Sequence, residues 1–248
     1  MNVIDSHVHL KHGDAERTEY PARTIVECME GAGISRSVVF AMSTTTRRSI
    51  EMAREAAREF TGRLIPYVYA LPHYQRPVIA EIKEAIVEYG FKGIKVHAAE
   101  CRLTEYTVDP VLELASQVKV PCLFDFCGDL PGAERIASSF PGLTVVVAHM
   151  GKYLCTDGRL VDSFIALAEQ YRNVYLDVSG MVLTGKIQEA VSRIGAQRLL
   201  FGTDGPHPKP DLVSFAKAET DKIRTLEIGD NDKNLILSGT VSALLKID

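Results

Sequence analysis

The feature that most constrains this chain is an alternation: eight short runs of β-type residues, each followed by a stretch with helical period. The runs are Val3 to His9, Ser37 to Ala41, Leu64 to Ala70, Gly93 to His97, Pro121 to Phe126, Leu143 to His149, Val174 to Ser179 and Arg198 to Thr203. Between them, Arg47 to Phe60 sets apolar Ile50, Ala53, Ala57 and Phe60 against charged Arg54, Glu55, Arg58 and Glu59, which gives a helix one buried face. Val78 to Tyr89 repeats this with Ile79, Ile82, Ile86 and Tyr89, and the segments 24–30, 111–117, 134–139, 160–171, 186–194, 212–226 and 233–246 complete the helical set. Runs such as Leu143-Thr144-Val145-Val146-Val147-Ala148 are apolar at nearly every position, as parallel strands covered on both faces are. Eight strand–helix units imply an α/β chain closed into a (β/α)8 barrel. A doubly wound sheet would carry a glycine-rich phosphate loop after its first strand, and neither that loop nor a P-loop is present there.

With 248 residues and no low-complexity tract or linker, the chain reads as one domain over residues 1–248. Its net charge of −4 provides no basic footprint for a nucleic-acid backbone or an anionic membrane. The longest apolar runs, Val38 to Met42 among them, are far below the roughly 20 residues of a membrane span. The five cysteines form an odd set without C-x-x-C spacing, and Met1 to Asp5 lacks a secretory pattern. Those features set the expectations of a reducing cytoplasm, buried unpaired thiols and a small-molecule substrate as partner.

Chemistry in such a barrel sits where the loops leave the carboxyl ends of the strands. All seven histidines fall there: His7, His9 and His12 at or just past run 1, His73 after run 3, His97 at the end of run 4, His149 at the end of run 6, and His207 after run 8. His7 and His9 lie two apart on a strand and so share a face, where two imidazoles can chelate one cation. Asp204 after run 8 and His149 after run 6 add ligands from other strands, which strengthens a divalent-metal reading. Lys95 lies two residues below His97 and faces the pore one layer deeper, where it is expected to neutralise Asp5 or Asp177. Asp177 is expected to make structural hydrogen bonds and Ser179 to approach substrate. His73, His97 and His207, with Lys95, are candidate substrate-binding groups.

With His7-x-His9, Gly93-Ile94-Lys95-Val96-His97, Ala148-His149-Met150-Gly151, Val174 to Gly180 and Gly202-Thr203-Asp204-Gly205-Pro206-His207 in that order, the chain resembles the amidohydrolase superfamily, in particular its amidohydrolase-related branch of metal-dependent hydrolases and decarboxylases. The resemblance implies a distorted TIM barrel, with His7 and His9 as metal ligands, His149 as ligand or acid/base group and Asp204 as ligand or proton carrier. One position departs: where many relatives carry a ligand histidine after run 5, this chain has Asp125, a harder anionic donor, so Mn²⁺ stands beside Zn²⁺ as the expected ion. The expected activity is metal-dependent hydrolysis, in which activated water attacks the carbonyl of a small amide, ester or lactone, with Asp204 and His149 as catalytic groups. Alternatives are a non-oxidative decarboxylase of a small carboxylic acid on the same site, a metal-independent lactonase and, last, a non-catalytic barrel. A nuclease of the related TatD type is disfavoured, because the acidic residue expected after its third or fourth strand is missing. The resemblance also admits a homodimer.

Overall fold

The structure is a computed structural model and describes residues 2–247. Eight strands are present: β1 Ile4–Lys11, β2 Arg36–Ala41, β3 Leu64–Tyr69, β4 Gly93–His97, β5 Cys122–Asp125, β6 Val145–Val147, β7 Val174–Asp177 and β8 Leu199–Leu200. They pair side by side in chain order, every pair parallel. The ring is completed between the first and last strands by Ser6 N–H to the Phe201 carbonyl (2.9 Å), Asp204 N–H to the His7 carbonyl (2.9 Å) and His9 N–H to the Gly205 carbonyl (2.7 Å). The chain is therefore a (β/α)8 barrel. Its helices are α1 Ala22–Ala32, α2 Thr46–Glu59, α3 Ile79–Val87, α4 Glu105–Val118, α5 Leu130–Ser139, α6 Gly158–Gln170, α7 Thr184–Ile194, α8 Leu212–Arg224, α9 Asp230–Asn234 and α10 Thr240–Leu245.

Strand residues alternate between two cores, as a period of two requires. Val38, Phe40 and Met42 from β2 and its end join Ile65, Tyr67 and Tyr69 from β3 in a cluster that fills the barrel. Their neighbours Val39, Ala41 and Val68 belong to the larger cluster shared with the helices. Size is matched across strands: a Cβ on Gly93 would stand 2.3 Å from Tyr67 Cζ, so β4 carries no side chain where that ring lies.

Three sequence expectations are corrected. Run 8 was expected over Arg198 to Thr203, yet only Leu199–Leu200 form a ladder: Arg198 lies in a 3-10 turn, and the Phe201 N–H turns away to the Ile236 carbonyl at 2.9 Å. The helical segment 233–246 is interrupted by a π turn, Leu235–Gly239, that presents this carbonyl. Its last part sends Val241 and Leu245 into the barrel-filling cluster, so it plugs the barrel beside Ile4 rather than extending the outer ring. In the opposite direction, α4 starts six residues earlier than the segment 111–117 and runs through Pro110, the residue at which the sequence pattern stops.

Candidate metal centre at the barrel mouth

A cleft of about 640 Å³ opens at the carboxyl ends of the strands, and His9, Lys95, His97, Asp125, His149 and Asp204 line it. The strand periods bring these groups together. His7 and His9 come from one face of β1, Lys95 and His97 from one face of β4, and His97 is in register with Asp125 across the β4–β5 ladder. Asp204 and His149 arrive on backbone with φ of +60° and +57°, the left-handed region that non-glycine residues seldom adopt and that recurs at functional sites.

Asp204 Oδ1 is the point of convergence. His9 Nε2 stands 2.9 Å from it, His7 Nε2 3.1 Å and His149 Nε2 3.8 Å. The donor atoms of His7, His149 and Asp204 all lie within 4.8 Å of one another. Asp125 is set to one side, its Oδ2 at 3.4 Å from His149 Nε2 and 3.2 Å from His97 Nε2. Of the five residues expected to hold an ion, His7, His149 and Asp204 form one cluster with His9 against Asp204, whereas Asp125 groups with His97 and Cys127 beside it.

The partners of the other ring nitrogens show what this arrangement fits. His7 Nδ1 donates to Asp177 Oδ2 at 2.7 Å, and His149 Nδ1 points at the Ser179 carbonyl at 3.1 Å. An N–H at Nδ1 leaves Nε2 as the lone-pair nitrogen of a neutral ring. In that tautomer two imidazole lone pairs face carboxylate oxygens, that of His7 with the Lys95 ammonium also 3.1 Å away, and a divalent cation would satisfy the acceptors on both sides. The ligand set fits such an ion.

Electrostatics agree. Burial pushes the Asp204 carboxyl up, but His149 and His7 outweigh it and hold the group well below the usual carboxylate range. Asp125 is likewise held low against burial by hydrogen bonds from His149 and His97. For His149 burial disfavours the charged ring, yet Asp204 and Asp125 prevail and raise its pKa to about 9. A cation that binds here must displace that proton.

Lys95 makes no direct ion pair with Asp5 or Asp177, although the Asp177 charge acts on it together with Asp125 and Asp204. Its ammonium donates to His7 Nε2 at 3.1 Å, while Asp177 is engaged by His7 Nδ1, and Asp5 accepts from the hydroxyl of Thr203 at 2.6 Å and its N–H at 3.0 Å. Burial lowers the Lys95 pKa, opposed by Asp125 and Asp204. His97 turns its Nε2 to Asp125 and accepts the Ala99 N–H at Nδ1 (3.1 Å), so it serves as a donor that orients Asp125. His207 lies near the cluster, Nε2 at 3.7 Å from Asp204 Oδ2 and 3.3 Å from the Tyr153 hydroxyl. His73 does not: it is exposed in a turn with Arg76 and lines a neighbouring cleft of about 590 Å³ with Tyr74, Arg102 and Tyr106. Ser179 is fully buried behind the histidines and does not line the cleft.

Sequence reasoning placed His12 at the rim without a role, and it stacks on His9 with ring centres 4.5 Å apart. Other groups were missed: Tyr153 and Lys152 line the cleft from the loop after β6. Glu100 borders both clefts, held by Ser43 and the buried Tyr69. Each sits on irregular backbone, where no periodicity announces a facing direction.

Comparison with known families settles the class. A model of the family described as amidohydrolase matches residues 4–247. The chain belongs to the amidohydrolase family. Solved structures agree with the barrel: this amidohydrolase superposes with a TM-score of 0.77 and 16% identity on a probable 2-pyrone-4,6-dicarboxylic acid hydrolase from Acinetobacter baumannii, over 100% of both chains. A 2,6-dihydroxybenzoate decarboxylase from Rhizobium gives 0.71 and 17% over 99% of this chain and 98% of the other. A 5-carboxyvanillate decarboxylase from Sphingomonas paucimobilis gives 0.75 and 13% over 100% and 99%. At these identities the likeness establishes the fold of the amidohydrolase and nothing of its substrate. A search of curated proteins finds no match.

Proposed function

We propose that this amidohydrolase is a metal-dependent hydrolase of a small amide, ester or lactone. The observation that carries the reading is the convergence of His7 Nε2, His9 Nε2 and His149 Nε2 on Asp204 Oδ1, with two of the opposite nitrogens already committed to acceptors. His7, His9, His149 and Asp204 would hold the ion, with Asp125 beside them. Three imidazoles favour Zn²⁺, and the two carboxylates keep Mn²⁺ as the alternative. Bound there, the ion supplies Lewis acidity toward a carbonyl and acidifies water.

The chain's own groups supply the remainder. Asp204 Oδ1 is taken up by His7 and His9, whereas Oδ2 faces His207 at 3.7 Å and is the oxygen free to take a proton from attacking water and return it to the leaving group. His149, neutral once its Nε2 holds the ion, steadies the developing oxyanion through that ion, and Lys95 adds a donor on the cleft floor. The open cleft suits a small substrate.

The test is metal content by mass spectrometry on untagged protein, beside a His7→Ala/His9→Ala variant, followed by a panel of esters, lactones and amides assayed together with CO₂ release from small carboxylic acids. About one equivalent of zinc or manganese, absent from the variant, with turnover on the hydrolytic panel supports the reading. CO₂ release without hydrolysis moves the same site to decarboxylation, and a protein that takes up no metal sinks the metal-dependent reading.

A further inference from the structure

We infer that Asp177 and Ser179 act as one buried clamp that sets the tautomer of both His7 and His149, and that Ser179 is a positioning residue for metal binding. The inference rests on the metal reading above and extends it to residues that touch neither ion nor substrate. Asp177 ends β7, and Ser179 follows two residues later; both are fully buried.

The donors can be placed without conflict. His7 Nδ1–H donates to Asp177 Oδ2 at 2.7 Å. The Ser179 hydroxyl donates to the same oxygen at 2.6 Å, and the Ser179 N–H to Asp177 Oδ1 at 3.0 Å. With its proton spent on Asp177, the Ser179 oxygen is an acceptor, and His149 Nδ1 lies 3.0 Å away. The same nitrogen is 3.1 Å from the Ser179 carbonyl, so one residue offers it two acceptors. A single carboxylate thereby orders two histidines, one directly and one through a hydroxyl. His7 Nδ1 is also 3.4 Å from the Ser179 oxygen, which places both rings on the same small hub. The consequence lies on the far side of the rings, where both Nε2 atoms are turned to the site together and are the nitrogens an ion would take up. Loss of the hydroxyl takes from His149 one of its two acceptors and leaves the carbonyl at 3.1 Å, while His7 keeps its carboxylate. Loss of the charge at Asp177 affects both: an amide nitrogen facing His7 Nδ1 would drive the proton of that ring onto Nε2, and the Ser179 hydroxyl that serves His149 would lose its carboxylate partner.

The experiment measures zinc affinity by competition with a chelator for wild type, Ser179→Ala, Ser179→Cys and Asp177→Asn. It is paired with histidine ¹H–¹⁵N spectra of the metal-free proteins, which report the protonated nitrogen of each ring. Ser179→Ala, which keeps the carbonyl, is expected to weaken zinc about 10-fold and to move the His149 Nδ1 signal more than that of His7. Asp177→Asn is expected to move both His7 and His149 signals, and Ser179→Cys, a near-isosteric but weaker partner, to fall between wild type and Ser179→Ala. If Asp177→Asn does not fold, the two Ser179 variants decide. Zinc affinity in Ser179→Ala within twofold of wild type, or an unmoved His149 signal, overturns the clamp while leaving the metal site standing. A wild type that binds no zinc overturns both.

Discussion

Asp204 carries more of the site than any other residue, because three histidines approach one of its oxygens and a fourth approaches the other. Asp204→Asn keeps the shape and removes the charge and the proton acceptor, so turnover should fall by at least the roughly 10²- to 10⁴-fold that general acid/base groups supply. Far-ultraviolet circular dichroism of the variant should match wild type; full activity in a folded Asp204→Asn protein would remove Asp204 from the mechanism. Several of these residues could be read directly from the chain. His7 and His9 share a face by strand period, as do Lys95 and His97, and both pairs do point inward. What Lys95 touches was not legible: a buried ammonium needs a partner, but the sequence offers several carboxylates and conceals that its hydrogen bond goes to His7 Nε2.

At the scale of elements, the site depends on strands that approach one another closely. Gly202, just past β8, is such a point, since a Cβ there would stand 2.7 Å from Asp177 Oδ1 and 2.8 Å from His7 Cβ. Gly202→Ala should therefore weaken zinc binding about tenfold by displacing His7 and its carboxylate, measured by chelator competition, and cost about 1–3 kcal/mol of stability as overpacking does. Phe40 on β2 supports the same histidines from beneath, its ring centre 5.5 Å from His7 and 4.7 Å from His9 in a fully buried position. Phe40→Ala should cost about 3–5 kcal/mol, which at roughly 2–4 °C per kcal/mol for a domain of this size lowers Tm by about 6–20 °C in calorimetry. A drop under two degrees would show that the barrel repacks around the loss. Elements were legible wherever periodicity governed them, as in α2 and β4. They were not legible at β8, where the hydrogen bond from Phe201 to Ile236 replaces a ladder bond, or at α4, where tertiary packing carries a helix across Pro110.

For the whole molecule, an ion that binds only the folded barrel stabilises it by mass action. At a hundredfold excess over Kd the gain is about 2.7 kcal/mol, so Tm should rise by about 5–11 °C on zinc loading and should not rise in His7→Ala/His9→Ala. An equal shift in that variant would place the zinc elsewhere. No helix among the described residues is long and apolar enough to cross a membrane, and all five cysteines are unpaired, as their spacing indicates, but Cys127 is exposed where a buried thiol was expected. The sequence by itself determined the order of eight strand–helix units and the inward face of strands such as β1 and β4, because hydrophobic period and strand alternation are local properties of the chain. It also determined that imidazoles and carboxylates collect at one rim. Only the tertiary structure decided which nitrogen of each histidine looks into the site, that His73 belongs to a neighbouring cleft, and that Ser179 lies behind the ligands. Those outcomes depend on contacts such as His7 with Asp177, 170 residues apart in the chain, and no local pattern encodes a hydrogen bond across that distance.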